Sequence, residues 1–409
     1  MNCRFCNAKL DFEFIDLINS PPSNSFLSKD QLNKPEKFYP LKLFMCDKCY
    51  LVQIDEYKKS NEIFNENYLY YSSFSKMWLD HTKNYVNLVS KRFELNKDSF
   101  VIEIGSNDGY LLQYFQDLEI PCLGIEPASK TAKVAKEKGI KVIEDYFSIS
   151  LAEKLVEQNS KADLLVGNNV LAHVPNINDF TQGLSILLKN KGVITMEFPH
   201  IMQLIENNQF DTIYHEHFSY FSFLTVKKIF EYHKLKIFDV DRIPTHGGSL
   251  RIYAEHSNDN SKKISSRVRS LIDLEISKKM ISLDFYSNFQ DKANKLKYDL
   301  LRCLIDIKLK GKKIIAYGAA AKGNTLLNYC GIKSDLIKFI VDRSPYKQNK
   351  YLPGSHIPIV HESEIQKYKP DYILILVWNI KEEIIKQLEY VKDWGCVFLV
   401  PIPKIQELN

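Results

Sequence analysis

Apolar positions recur in different rhythms along this chain. From 98 to about 255, short β-branched runs alternate with stretches of helical spacing. Val101 to Ile104, Cys122 to Ile125, Lys141 to Ile143, Leu164 to Gly167 and Val193 to Glu197 read as buried strands. That alternation predicts a doubly wound parallel sheet with ligands at the carboxyl ends of its strands. Ahead of it, Trp78, His81, Tyr85, Leu88 and Val89 recur at helical spacing and read as core packing. Behind it, residues 256 to 310 are charged with a helical period (Val268, Leu271, Ile272, Leu274, Ile276, then Phe285, Phe289, Leu296, Leu300, Leu301), which predicts a linking helical pair. A second α/β unit opens at Lys313-Ile314-Ile315-Ala316-Tyr317-Gly318 and continues through Phe339 to Asp342 and Leu374 to Trp378. The expected divisions are therefore 1–60, 61–255, 256–310 and 311–409.

The strongest chemical signal is the first glycine corner, Glu103-Ile104-Gly105-Ser106-Asn107-Asp108-Gly109. Its spacing departs from the dinucleotide pattern, and an acid at its start would repel a pyrophosphate. A leading acid suits a ligand carrying an ammonium, such as S-adenosylmethionine (SAM). Another nucleotide, or an ordinary strand-turn-helix corner, is the competing reading. The next strand ends in Glu126, placed to accept hydrogen bonds from two ribose hydroxyls. Asp145 and Phe147 suit an adenine, one by hydrogen bond and the other by stacking, and Asn168 and Asn169 end the fourth strand. His173 follows on the same rim.

Composition narrows the classes. The chain has 409 residues, is 45% hydrophobic and carries 55 Lys and Arg against 50 Asp and Glu, a net +5 without a basic, aromatic-interleaved track for nucleic acid. No apolar run approaches the roughly twenty residues of a membrane span and the N-terminus lacks an apolar signal core, so a cytoplasmic protein is expected. The sequence does not read out oligomeric state, and a monomer is the default. Four of the eight cysteines form two C-x-x-C pairs, Cys3 with Cys6 and Cys46 with Cys49. Four thiolates give zinc a closed tetrahedral shell, hence a structural ion, with disulfides as the competing reading.

Three further stretches carry candidate groups. Asn67-Tyr68-Leu69-Tyr70-Tyr71-Ser72-Ser73 offers phenols that could reach a ligand or serve as buried structural tyrosines. Tyr214-His215-Glu216-His217 sets three ionisable groups among aromatics. Acid-base chemistry fits better than metal binding, since no third ligand is evident, and a structural hydrogen-bond network is the bland alternative. His246-Gly247-Gly248-Ser249-Leu250-Arg251 allows close approach at its glycines and offers Arg251 to a phosphate. In the second unit, Tyr317, Gly318, Lys322, Gly323 and Asn324 form a glycine turn with a lysine and no leading acid, suited to an anion or else a degenerate corner that binds nothing.

Taken in order, these motifs resemble the SAM-dependent sugar C-methyltransferases, which act on nucleotide-linked ketosugars in deoxysugar pathways. The resemblance spans nearly the whole chain. It implies an α/β protein with a small N-terminal zinc-binding domain, a class I SAM methyltransferase Rossmann-like core and a C-terminal Rossmann-like α/β domain that helps hold the nucleotide sugar. It also implies that His217 is the general base, supported by Tyr214, Glu216 and His173, with Tyr68 or, less favoured, Tyr70 as an active-site tyrosine. On this reading His217 removes a proton beside a ketone, Tyr214 or His173 hydrogen-bonds the enolate, and Glu216 orients the cluster. Two rivals remain. One is a sugar O-methyltransferase. The other is a non-enzymatic zinc-ribbon scaffold or nucleic-acid binder.

Overall fold

The computed structural model describes residues 1–64 and 70–408, so Tyr68 lies outside the described residues. The N-terminal sheet contains β1 (Phe12–Ser20), β2 (Tyr39–Met45) and β3 (Val52–Ile54), all antiparallel. Helix α1 (Lys76–Arg92) follows, with Ser75 Oγ accepting from the Trp78 amide as its N-cap.

The central sheet is built from β4 (Val101–Ile104), β5 (Cys122–Ile125), β6 (Val142–Ile143), β7 (Ala162–Asn168) and β8 (Leu188–Pro199), all parallel. Next comes the two-residue strand β9 (Ser219–Tyr220), which leaves this sheet and pairs with β3. Strands β10 (Leu235–Ile243) and β11 (Ser249–His256) finish the central sheet, whose order is β10-β11-β8-β7-β4-β5-β6. Strand β11 runs antiparallel to both neighbours. This is the class I methyltransferase fold. All four residues of β4 are buried, as expected of a parallel strand covered on both faces, so Glu103 enters the interior with its apolar neighbours.

Helices α2 (Ser266–Ser277) and α3 (Phe289–Leu309) form the linking pair. The third sheet joins β12 (Ile314–Tyr317), β13 (Ile340–Val341), β14 (Ile359–Val360), β15 (Tyr372–Ile375), β16 (Val397–Val400) and β17 (Gln406–Leu408) in the order β14-β13-β12-β15-β16-β17, with β17 alone antiparallel. Helix α4 (Ala321–Cys330) follows β12. The strand expected through Trp378 stops at Ile375, because Trp378 turns away to donate from Nε1 to Asp211 Oδ2 at 2.7 Å.

Each parallel sheet reverses its strand order once, beside β4 in the first and beside β12 in the second, and each reversal opens a crevice at the strand carboxyl ends. Gly105 (φ +69°) and Gly318 (φ +95°) occupy equivalent corners there, in a backbone region that a Cβ strains. Among the described residues, no helix is long and apolar enough to cross a membrane.

Candidate active site

The two cysteine knuckles close alike. In each, the residue after the second cysteine, Asn7 or Tyr50, is left-handed and donates its amide to the carbonyl of the first cysteine, at 2.9 Å in both cases. A tetrahedral zinc with Zn–S bonds of about 2.3 Å sets its sulfurs about 3.8 Å apart. Cys3 and Cys49 stand 3.5 Å apart, as do Cys6 and Cys46, and all four sulfurs lie within 4.8 Å of one another. The donor set fits a structural zinc. Gln53 Nε2 donates to Cys3 Sγ at 3.3 Å and steadies the cluster from the sheet side.

At the central crevice the polar groups are buried and short of partners. Glu103 is 0% exposed, neither of its carboxylate oxygens has a well-formed hydrogen bond, and burial pushes its pKa well up. Ser106 Oγ, Asp108 Oδ1, both side-chain atoms of Asn168 and Asn169 Oδ1 are likewise buried without partners. Orphaned groups are costly in a core and suit a pocket completed by a ligand. They fit SAM, whose ammonium matches Glu103. Glu126 accepts from the Asn107 amide at 2.9 Å and the Ala128 amide at 2.8 Å, and burial raises its pKa to about 7. Asn107 also accepts from the Ser72 amide and donates to the Tyr70 carbonyl, while Ser73 bonds to Asp108, so segment 70–75 is strapped over the corner. Gly109 leaves no room for a Cβ, which would lie 2.3 Å from Ile140. Asp145 is exposed at the end of β6. Phe147 packs edge-on against Phe180 at 5.4 Å and close over Gly183, so its ring serves the helix layer as well as the rim.

Residues 214–217 form a tight turn, with the His217 amide donating to the Tyr214 carbonyl at 2.9 Å. That geometry puts the first and last side chains together: Tyr214 Oη lies 2.9 Å from His217 Nε2. His217 Nδ1 donates to the Thr212 carbonyl at 3.0 Å, which leaves Nε2 with its lone pair. Burial, with His173 next, holds the His217 pKa well below the imidazole norm, so the ring is neutral at neutral pH. His173 packs edge-on against His217 at 4.7 Å, its Nδ1 is 2.7 Å from the Glu216 carbonyl, and burial lowers its pKa to about 4.

The two corner residues point elsewhere. His215 Nε2 donates to the Pro40 carbonyl at 3.2 Å. Both Glu216 carboxylate oxygens accept from Asn24 Nδ2 at 2.8 Å. The Glu216 carboxylate therefore does not orient the imidazoles; its carbonyl does, through His173.

Arg251 also departs from expectation. It is 5% exposed, bonds Glu197 Oε2 at 2.9 Å and lies over the Tyr85 ring at 4.6 Å. No phosphate reaches a guanidinium buried on a carboxylate. The turn before it does face the cleft. His246 is left-handed (φ +54°) beside Trp78, and a Cβ on Gly247 would fall 2.5 Å from Trp378. From the third sheet, Lys322 donates to Asn379 Oδ1 at 2.8 Å and lies over the Trp378 ring at 4.8 Å. Asn324 is fully buried with neither side-chain atom partnered. Tyr317 accepts from Gln387 at 2.9 Å, away from this group.

Three family models match in succession: "Putative zinc binding domain" over 3–64, "Methyltransferase domain" over 78–238 and "C-methyltransferase C-terminal domain" over 244–403. C-methyltransferase NovU of Streptomyces niveus is 31% identical over 98% of this chain and 95% of its own length. The chain belongs to the C-methyltransferase family. It is a SAM-dependent methyltransferase with a structural zinc. Solved structures with partial likeness include the PH0226 protein of Pyrococcus horikoshii OT3 (12% identical, 46% of this chain, 94% of that one, TM-score 0.38) and the SAM-bound magnesium protoporphyrin IX methyltransferase of Synechocystis PCC 6803 (14%, 44% and 80%, TM-score 0.33).

Several groups that build this C-methyltransferase's site escape sequence reasoning. His81 and Trp78 look like core positions of an amphipathic helix, yet their rings stack at 4.9 Å and His81 Nε2 lies 3.0 Å from Glu197. Asp211, which links Trp378 to the His217 turn, carries no sequence signal, although the polar run Asp211-Thr212 before the histidines would have been a fair place to look.

Proposed function

We propose that this C-methyltransferase methylates a nucleotide-linked ketodeoxysugar at the carbon next to its carbonyl, with His217 as the base. The observation that carries the reading is the His217 tautomer: Nδ1–H is tied to a backbone carbonyl and Nε2 is a buried lone pair held by the Tyr214 phenol. A carbon acid needs such a base together with a donor for the oxygen that gains charge. Bound SAM supplies the electrophilic methyl group, and Glu103, Asp108, Glu126, Asn168 and Asn169 would hold it.

Tyr214 stays a neutral phenol, since burial raises its pKa far above the usual value, so it remains a hydrogen-bond donor when His217 turns to the substrate. The Glu216 carbonyl fixes His173 with its proton on Nδ1, so that ring offers the cleft an acceptor and cannot donate to an enolate while neutral. Positioning across the two crevices does the rest, an effect worth roughly 7 to 11 kcal/mol in ideal cases. The crevice of the third sheet would take the nucleotide portion.

Incubation with labelled SAM and a panel of nucleotide-linked ketosugars tests this directly. A branched carbon in the product NMR spectrum is expected, and His217→Asn should lower turnover by about 10²- to 10⁴-fold, the usual worth of a general base, while SAM still binds. A methyl group on oxygen, or near-normal turnover in the variant, would overturn the proposal.

A further inference from the structure

Proton removal beside a ketone leaves charge on the oxygen, and the groups around His217 are short of donors for it. His173 presents a lone pair. Tyr214, freed when His217 turns to the substrate, offers one neutral donor and no positive charge. Arg251 is held by Glu197 within the sheet. Lys322 remains, on the first turn of α4, near enough to Asp211 to feel its charge but in no ion pair among the described residues. A continuous set of contacts ties it to the base. Its ammonium lies over Trp378, Trp378 Nε1 donates to Asp211, and the next residue, Thr212, supplies the carbonyl that fixes His217. Gly247 packs against the far edge of the Trp378 ring, where a Cβ would not fit.

We infer that Lys322 is a catalytic residue whose ammonium hydrogen-bonds the substrate carbonyl oxygen and receives its negative charge as His217 removes the adjacent proton. The inference rests on the proposed carbon-acid chemistry and goes further, by giving the C-terminal domain a part in the reaction beyond holding the nucleotide. The step balances. The substrate C–H bond breaks, its proton goes to His217 Nε2, the bonding pair becomes the enolate double bond, and the carbonyl π pair moves to the oxygen held by Nζ–H. Burial chiefly lowers the His217 and His246 pKa values and the Lys322 charge adds to both, while burial lowers the Lys322 pKa as well and the Asp211 carboxylate opposes that by supporting the ammonium. A weakly basic imidazole leaves more of the barrier to be met at the oxygen.

Exchange of the substrate's α-proton into D2O, followed by ¹H NMR with S-adenosylhomocysteine in the methyl-donor site, isolates this step from methyl transfer. Lys322→Met keeps the aliphatic stem on Trp378 and should slow both exchange and kcat by about 10²- to 10³-fold at saturating substrate, the usual loss for one oxyanion donor, with KM little changed. Lys322→Arg should recover part of the rate. If the methionine variant loses SAM affinity, Lys322→Gln gives the same readout. Exchange and kcat near wild type with a raised KM would overturn the inference and make Lys322 a phosphate anchor. Wild-type protein that neither exchanges nor methylates these substrates would overturn the underlying carbon-acid reading instead.

Discussion

Replacing Arg251 with methionine separates the role suggested by its sequence from the one its surroundings impose. Arg251 lies directly opposite Glu197 on neighbouring strands, and Glu197 is 0% exposed. Removing one partner of a buried pair typically costs about 3 to 5 kcal/mol, because the other charge is left without compensation. Here Glu197 keeps the Thr245 hydroxyl at 2.9 Å and His81 at 3.0 Å, which places the loss near about 3 kcal/mol, the lower end of that range. Loss of the cation over Tyr85 adds about 0.5 to 2 kcal/mol. For a domain of this size the sum lowers Tm by roughly 7 to 20 °C.

Thermal unfolding followed by circular dichroism reads this, with Glu197→Gln and the double variant completing a cycle. The double variant should lose less than the sum of the singles, since no unpaired charge remains. The pH dependence provides a second check. Burial alone would raise the Glu197 pKa, but His81 and then Arg251 outweigh it and hold it below the usual value. Such a group stabilises the fold above its unfolded pKa, and that stability is lost as pH falls through the folded value. Wild type should therefore lose stability more steeply in acid than Arg251→Met. An unchanged Tm with a raised KM for the nucleotide sugar would refute the argument and return Arg251 to a phosphate.

Two further outcomes follow from the cofactor sites. Glu126 is raised to about 7 by burial despite the amides of Ala128 and Asn107, so its carboxylate, proposed to accept from the SAM ribose, is lost as pH falls through that value. The Kd for SAM, measured by calorimetry, should rise by up to about tenfold per pH unit below it, Glu126→Gln should flatten the curve, and a flat wild-type curve would sink the assignment. Cys46→Ser should abolish stoichiometric zinc by metal analysis and suppress methylation, because Asn24 and Pro40 of the zinc domain hold Glu216 and His215 in the turn of the proposed base. Full activity in zinc-free protein would refute that coupling.

The parts of this protein legible in sequence are those whose determinants lie close together in the chain. Strands at Val101–Ile104 and Cys122–Ile125 stand where their short apolar runs end, at Gly105 and Glu126, since a covered parallel strand reads as a mostly apolar run. The cysteine knuckles are equally local. The 214–217 turn was only half legible. Aromatic neighbours mark the histidines as buried, but whether a turn gathers or scatters its side chains depends on backbone geometry, and here the first and last residues meet while Glu216 is sent to Asn24, 192 positions away. The remaining relations are longer still: Asp211 meets Trp378 across 167 positions, and Arg251 meets Glu197 only through strand register. A charged residue read alone invites an anion as its partner. In a sheet, the residue opposite has the first claim on that charge, so Arg251 is neutralised within the fold, whereas Lys322, on a helix turn at a strand end, has no strand partner opposite it and lies over the Trp378 ring.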